Sequence, residues 1–387
     1  MTTSTRPLTT RLAIPLIPRI RRLNAVAHLC CYGLYAPLNA EFLKSLGVRT
    51  IIGGEFEAGL VQLASGEGSQ ADSFSMDRLQ FRVPDRSLLP VLGRYARLRV
   101  GTTSKRVGQT EASRGCKHLC RHCPVVPVYQ GVFRIVQHEV VLEDIRRQVQ
   151  AGAEHISFGD PDFFNGPGHA RRIVEQLHSE YPDVTYDVTI KVEHLLQQRS
   201  LLPVLKSTGC LFVTSAVESL QDDVLLKLQK GHTRADFIQV VRMFRELGLT
   251  LAPTFIPFTP WTTEESFREL LRTLRELDLV EQVSPVQLAL RLLIPAGSLL
   301  LELPEIARLA GPFEQAGLLH RWQHPDRQVD ALAVKVLAAV SEGQKQGRPR
   351  AVTFGKIWEI AHGTAPVENF NLVPRAAIPY LDEPWYC

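Results

Sequence analysis

Between residues 105 and 294 the 387-residue chain alternates strand-like and helix-like stretches six times, and few folds accept that order. The strand-like runs fall near 107–112, 155–159, 185–191, 211–217, 249–255 and 286–294. Amphipathic helical patterns separate them near 140–150, 169–181, 193–207, 221–230 with 235–247, and 263–279. Repeated strand–helix units build parallel sheets, and six of them predict an α/β chain with a partial (β/α)6 TIM-like barrel open on one side. Chemistry in such a barrel sits at the C-terminal ends of the strands. A shorter alternation over 24–65 reads as the end of a separate α/β domain. The expected division is therefore 1–65, a Gly-, Ser-, Asp-, Arg- and Pro-rich linker over 66–103, the barrel over 104–300 and a C-terminal extension over 301–387.

The first barrel strand runs directly into a loop carrying Cys116, Cys120 and Cys123, with His118 and His122 between them. C-x3-C-x2-C spacing offers three thiolates at once, and a 4Fe-4S cube held by three thiolates keeps one iron open to a ligand. Zinc held by these cysteines with His118, His122 or His138 is the other use of such donors. Structural zinc sites, however, pair two short knuckles across a longer stretch, and no second C-x2-C or H-x3-H follows here. Seven cysteines are too few for a disulfide framework, and a cluster needs reduced thiols, so a reducing, cytoplasmic setting is expected. The 44 basic and 40 acidic residues are spread without runs, which predicts no nucleic-acid partner. The longest apolar stretch, 286–303, is broken by Arg291 and Pro295 and predicts no membrane span.

With a ring-bearing His122 just before the last cysteine, the triplet resembles the signature of the radical S-adenosylmethionine (SAM) superfamily. The resemblance implies that the amino and carboxylate groups of SAM chelate the open iron. The segment Phe158-Gly159-Asp160-Pro161-Asp162-Phe163 stands where that family places a Gly-Gly-Glu-like stretch, which assigns Gly159, Asp160 and Asp162 to the SAM ammonium group. Read by itself, the same stretch is an Asp-Pro turn closing a strand. Val217-Glu218-Ser219, continuing to Lys230-Gly231-His232-Thr233, is similar to the "G-V-E-S … L-x-K-G" stretch of cobalamin-associated radical SAM enzymes. It implies Ser215 and Glu218 as contacts to the SAM ribose or carboxylate, and Lys191 as a cation for the carboxylate. Each serves equally well as a helix-start cap or surface charge. Ile294 would supply an apolar wall for adenine, and Arg291 would face substrate. Trp261 and Phe258 either line a cavity or staple a loop. Cys210 reads as a small buried hydrophobe.

The stretch 32–57 resembles the closing third of a cobalamin-binding Rossmann-like domain, so 1–65 reads as an incomplete segment of that type. The D-x-H-x-x-G cobalt-ligating motif is absent, which puts cobalamin binding in doubt and suggests a start inside the domain. The last residues, Asp382 to Cys387, resemble the tail of the CUAEP/CCAEP-tail radical SAM proteins, as if cut at Cys387 by a selenocysteine codon read as stop. Over residues 28–300 the resemblance implies a radical SAM enzyme with a 4Fe-4S cluster and SAM, a small-molecule substrate, and an electron donor of flavodoxin or ferredoxin type. Two rivals stand beside it. A tRNA-modifying methylthiotransferase would need a second cluster or an RNA-binding module. A non-catalytic iron–sulfur or zinc protein would need no SAM pocket.

Overall fold

A computed structural model describes residues 8–66, 71–366 and 378–381; the tail ending at Cys387 lies outside the described residues. The chain forms two compact units that are not consecutive along it. The first comprises Met1–Gln80, Gly115–Arg134 and Leu293–Gln323, and the second Phe81–Arg114, Ile135–Leu292 and His324–Cys387. Among the described residues no helix is long and apolar enough to cross a membrane.

In the first unit, strands β1 (Cys30–Tyr32), β2 (Thr50–Gly54) and β3 (Ser73–Ser75) form a parallel sheet in that order. Helices Ala40–Ser45 and Glu57–Ser65 make the crossovers that parallel pairing requires. The small core under the sheet joins Ile17, Ala36, Leu43, Val48 and Ile51. Strand β3 falls inside the expected linker; at three residues, with Ser at both ends, it carries no periodic signal.

The second unit is built on a curled sheet. Its strands are β4 (Arg97–Val100), β5 (Thr103–Thr110), β8 (His155–Phe158), β9 (Thr185–Thr189), β10 (Cys210–Glu218), β11 (Thr250–Phe255) and β14 (Tyr380–Leu381), in spatial order β11-β10-β9-β8-β5-β4-β14. Two short ribbons are separate from that sheet, β6 (Ser113–Gly115) with β7 (Phe133–Ile135) and, in the first unit, β12 (Phe313–Glu314) with β13 (Leu319–His320). The five strands from β5 to β11 run parallel, and β4 and β14 are antiparallel additions at one edge. This is the half-barrel that the alternation predicted, with one difference. The sixth strand survives only as a single parallel bridge between Phe258 and Arg291. Pro285 begins a 3-10 turn through Leu288, and the Gln287 side chain accepts the Phe255 N–H at 3.3 Å where a strand would have paired.

Side-chain alternation gives the parallel strands two unlike faces. Ile156, Phe158, Tyr186, Val188, Val213 and Leu251 belong to the main core, shared with Ile173, Leu177, Phe237, Val240 and Phe244 of the covering helices. The other face begins with polar groups that satisfy one another. His155 meets Thr185 Oγ1 through Nδ1 and Asp187 Oδ1 through Nε2, both at 2.8 Å, and the Ser157 hydroxyl donates to Asp187 Oδ2 at 3.1 Å. His155 and Thr185 begin β8 and β9, and Ser157 and Asp187 stand further along the same face. The upper half of β5 has no strand partner on its outer side. Gln148 closes that edge by accepting from the Gln109 N–H and donating to its carbonyl, while Arg86 donates to the same carbonyl and pairs with Asp144.

The sequence marks where the helices start. Thr233 and Thr263 each close a capping box, with Asp236 and Ser266 as the reciprocal partners. Helix Glu264–Glu276 buries Phe267, Leu270, Leu271 and Leu274, one stripe at helical spacing.

Candidate active site

The cysteine loop lies within the first unit. Its turns are fixed by backbone bonds from Cys123 N to Cys120 O at 3.1 Å and from Val126 N to Cys123 O at 3.2 Å. Cys120 is buried, Cys116 and Cys123 are half-buried, and none of the three is in a disulfide. Below the loop, Val125, Val128 and Tyr129 form an apolar floor shared with Leu34, Leu38 and Met76, and Cys116 and Cys123 pack against it. Gly115 enters the loop at φ +72°, where a Cβ would overlap the Tyr129 ring and stand 2.5 Å from the Val132 carbonyl. Only glycine takes that conformation without strain. His122 is half-buried between the last two cysteines, and the Ser298 hydroxyl donates to the Arg121 carbonyl at 3.3 Å.

Reduced thiols on one short, glycine-hinged loop fit an iron–sulfur cluster with an open iron. The small sheet offers cobalamin less. Among its described strands and loops the one histidine, His28, is spent on Thr50 Oγ1 at 2.9 Å, just ahead of β1 and away from the C-terminal ends where such sheets bind ligands. With no imidazole there for cobalt, the residues present do not fit a histidine-ligated cobalamin.

In the second unit the expected residues gather at the C-terminal ends of the strands, but their roles divide. Gly159 donates its N–H to Thr110 O at 2.8 Å, holding the end of β8 against β5. Asp160, 2 % exposed, accepts from Ala112 N at 2.8 Å and the Ser113 hydroxyl at 2.6 Å. Burial pushes its carboxyl up to about 7, against the lowering effect of those two donors. Asp162 is fully buried and accepts from Phe164 N at 3.0 Å and Lys191 N at 3.4 Å, with His194 Nδ1 at 2.8 Å. Both aspartates therefore order the loops in which they stand.

Beyond β9 and β10 lies a buried charge cluster. Lys191 Nζ meets Glu193 Oε2 at 3.1 Å, and Lys230 Nζ lies 3.6 Å from Glu218 Oε1. Glu218 ends β10 at φ +70°, past a bulge, an unusual conformation for a residue with a side chain. Gly231, also left-handed at +72°, passes so close to the Glu193 carboxylate that a Cβ would overlap it. His232 completes the group. Its ring is buried with neither nitrogen hydrogen-bonded, and burial, with Lys230 and Lys191 nearby, pushes it down to about 4.

The structure thus brings Lys191 and Glu218 together and adds Glu193, Lys230 and His232. Ser215 is not among them. Its side chain shares the core face of Val213, its hydroxyl has no partner, and the opposite face of β10 presents Thr214 and Ala216. Ile294 is fully buried within the first unit, where its carbonyl accepts from His320 N at 2.8 Å. Arg291 is held by Asp330 at 2.6 Å. His194 went unremarked in the sequence because an isolated histidine on a helix carries no pattern. His232 was visible only as part of the Lys-Gly-His-Thr stretch.

Residues 110–274 match the profile of the Radical SAM superfamily. The matched segment spans the cysteine loop and the parallel strands β8 to β11, and that superfamily implies a 4Fe-4S cluster and SAM. Similar curated proteins include the ribosomal protein uS12 methylthiotransferase RimO of Parabacteroides distasonis, 23% identical over 188 residues that cover 46% of this chain and 43% of that protein. The hopanoid C-3 methylase of Methylococcus capsulatus is 27% identical over 188 residues, covering 49% and 35%. The chain spans less than half the length of these relatives. Among solved structures, the cobalamin-dependent SAM radical enzyme OxsB aligns over 88% of this chain and 65% of its own, with TM-score 0.65 and 13% identity. The radical SAM methyltransferase TsrM from Kitasatospora setae aligns over 85% and 73%, with TM-score 0.62 and 17% identity.

Proposed function

We propose that this chain reductively cleaves SAM to drive radical chemistry on a small molecule, with methyl or methylthio transfer the leading outcomes. The single observation that carries the reading is the three-thiol loop placed directly after the first strand of a radical SAM domain. Cys116, Cys120 and Cys123 would hold the 4Fe-4S cluster. When bound, the cluster would supply the electron for reductive cleavage of a C–S bond of SAM.

The protein's part is binding, orientation and exclusion of water. Asp160 fastens the end of β8 to the Ala112–Ser113 turn that leads into the loop. The Gly159 backbone, free of a side chain, gives a cationic group room to approach. Lys191 is the cation for the SAM carboxylate, and Glu218, with its carboxylate held by Lys230, is suited to ribose hydroxyls. The relatives' methylase and methylthiotransferase names support group transfer, and an electron donor of flavodoxin or ferredoxin type completes the requirement, in a reducing cytoplasm.

The test is anaerobic reconstitution followed by EPR of the dithionite-reduced protein with and without SAM. A 4Fe-4S signal that shifts on adding SAM is expected. A cluster blind to SAM, or no cluster, defeats the proposal.

A further inference from the structure

The first unit contains a buried acid that the proposed chemistry does not use. Glu55 follows β2, is 1 % exposed, and donates its own N–H to Ser75 O at 2.7 Å. Gly54, left-handed at φ +67°, turns the chain there, with the Ser75 carbonyl occupying the space a side chain would need. The Glu55 carboxylate accepts from the Tyr129 hydroxyl at 3.2 Å, and that bond is buried. Tyr129 lies in the floor of the cysteine loop, its ring against the backbone of Gly115, the residue before Cys116.

A hydrophobic residue at position 55 would support an apolar floor at lower cost, because a buried carboxylate gives up its hydration. What the acid adds is direction. A hydrogen bond to the phenol oxygen limits where the ring stands, and the ring fixes Gly115. We infer that Glu55 and Tyr129 are positioning residues for the cysteine loop, through which the small parallel sheet holds Cys116 in place for cluster binding. The inference rests on the cluster reading above.

The full chain, reconstituted anaerobically, tests it. Release of iron to a ferrous chelator is followed at 25 °C alongside EPR of the reduced protein, for wild type, Tyr129→Phe, Glu55→Gln and the double variant. Loss of one buried hydrogen bond predicts release about five- to ten-fold faster in Tyr129→Phe, and a smaller rise in Glu55→Gln, whose amide oxygen still accepts, with broadened EPR lines and unchanged far-UV circular dichroism. The double variant should be no faster than Tyr129→Phe, since Glu55→Gln acts only through the hydroxyl that Tyr129→Phe removes. Tyr129→Phe keeps the ring, so packing alone predicts no change. Release curves and spectra of Tyr129→Phe that superimpose on wild type overturn the inference. The same holds for a double variant whose effect is the product of the singles. If Glu55→Gln does not fold, Tyr129→Phe decides alone. A wild type that takes up no cluster overturns the cluster reading instead, and is seen before any variant is compared.

Discussion

The cysteine loop and the charged ends of β9 and β10 are held in opposite ways. The loop rests on an apolar floor of Val125, Val128 and Tyr129, and its geometry comes from glycine and backbone bonds. The β9–β10 cluster is held by paired charges, Lys191 with Glu193 and Lys230 with Glu218. A loop that must present three thiolates in fixed directions gains from rigid support. A cluster proposed to recognise charged and hydroxyl groups gains from side chains already drawn out of water. Different physical demands have produced different construction.

The largest test of that contrast removes one member from each. Cys120→Ala should abolish cluster uptake, with iron and labile sulfide at background and no EPR signal. Lys191→Ala should leave the iron content unchanged while the SAM concentration needed for half of the EPR shift rises about ten-fold. If Lys191→Ala also loses the cluster, the two regions are not separable in function.

The next test uses two glycines of like conformation. Gly115→Ala forces a left-handed alanine against the Val132 carbonyl, part of the backbone. Strain and overlap together cost about 3 kcal/mol. Gly231→Ala meets the end of the Glu193 side chain, which can swing aside, so the cost is nearer 1–2 kcal/mol, mostly from φ. Melting temperatures should fall in that order, and the reverse order would mean that the charged cluster is the more rigid of the two.

The same contrast explains what the sequence could reveal. The cysteines lie within eight residues, so their spacing alone reports a ligand set. Strands β8 to β11 were legible because each is apolar on one face and bounded by turns, and these four were found close to their observed limits, whereas β5, almost wholly polar, starts four residues before its expected 107. The sixth failed because Pro285 and the Gln287 side chain replaced the pairing that the apolar run predicts. The charge cluster was legible only in pieces. Lys191 and Glu218 were reached through resemblance; Glu193 stands only two residues from Lys191, but the pairing of Glu218 with Lys230 depends on how the chain after β10 folds back, which no local pattern encodes. Ser215 shows the limit on a finer scale. Counting along β10 does not say which face meets the helices, and the bulge before Glu218 shifts the alternation again. The Glu55–Tyr129 bond joins residues 74 apart in sequence and had no signal at all.

The smallest effect expected is also the one with a distinctive sign. Asp160, raised by burial to about 7 from its ordinary 3.8, keeps a proton between pH 4 and 7 that the unfolded chain has lost. It therefore makes stability fall as pH rises through that window. His232, lowered to about 4 from 6.5, lacks a proton between pH 4 and 6.5 that the unfolded chain holds, so it makes stability rise with pH. In the wild type the two slopes oppose each other. Asp160→Asn removes the falling component and should leave melting temperature climbing more steeply from pH 4.5 to 6.5. His232→Leu removes the rising component and should tilt the profile the other way. At pH 7 its cost should be within about 1 kcal/mol, since the ring it replaces has no hydrogen bond to lose. Parallel profiles for wild type and both variants of the cluster-free chain would mean that neither group titrates as its burial dictates. A His232→Leu protein that keeps its melting temperature but loses the SAM-dependent EPR shift would sharpen the comparison, since it would assign the histidine to ligand rather than to fold.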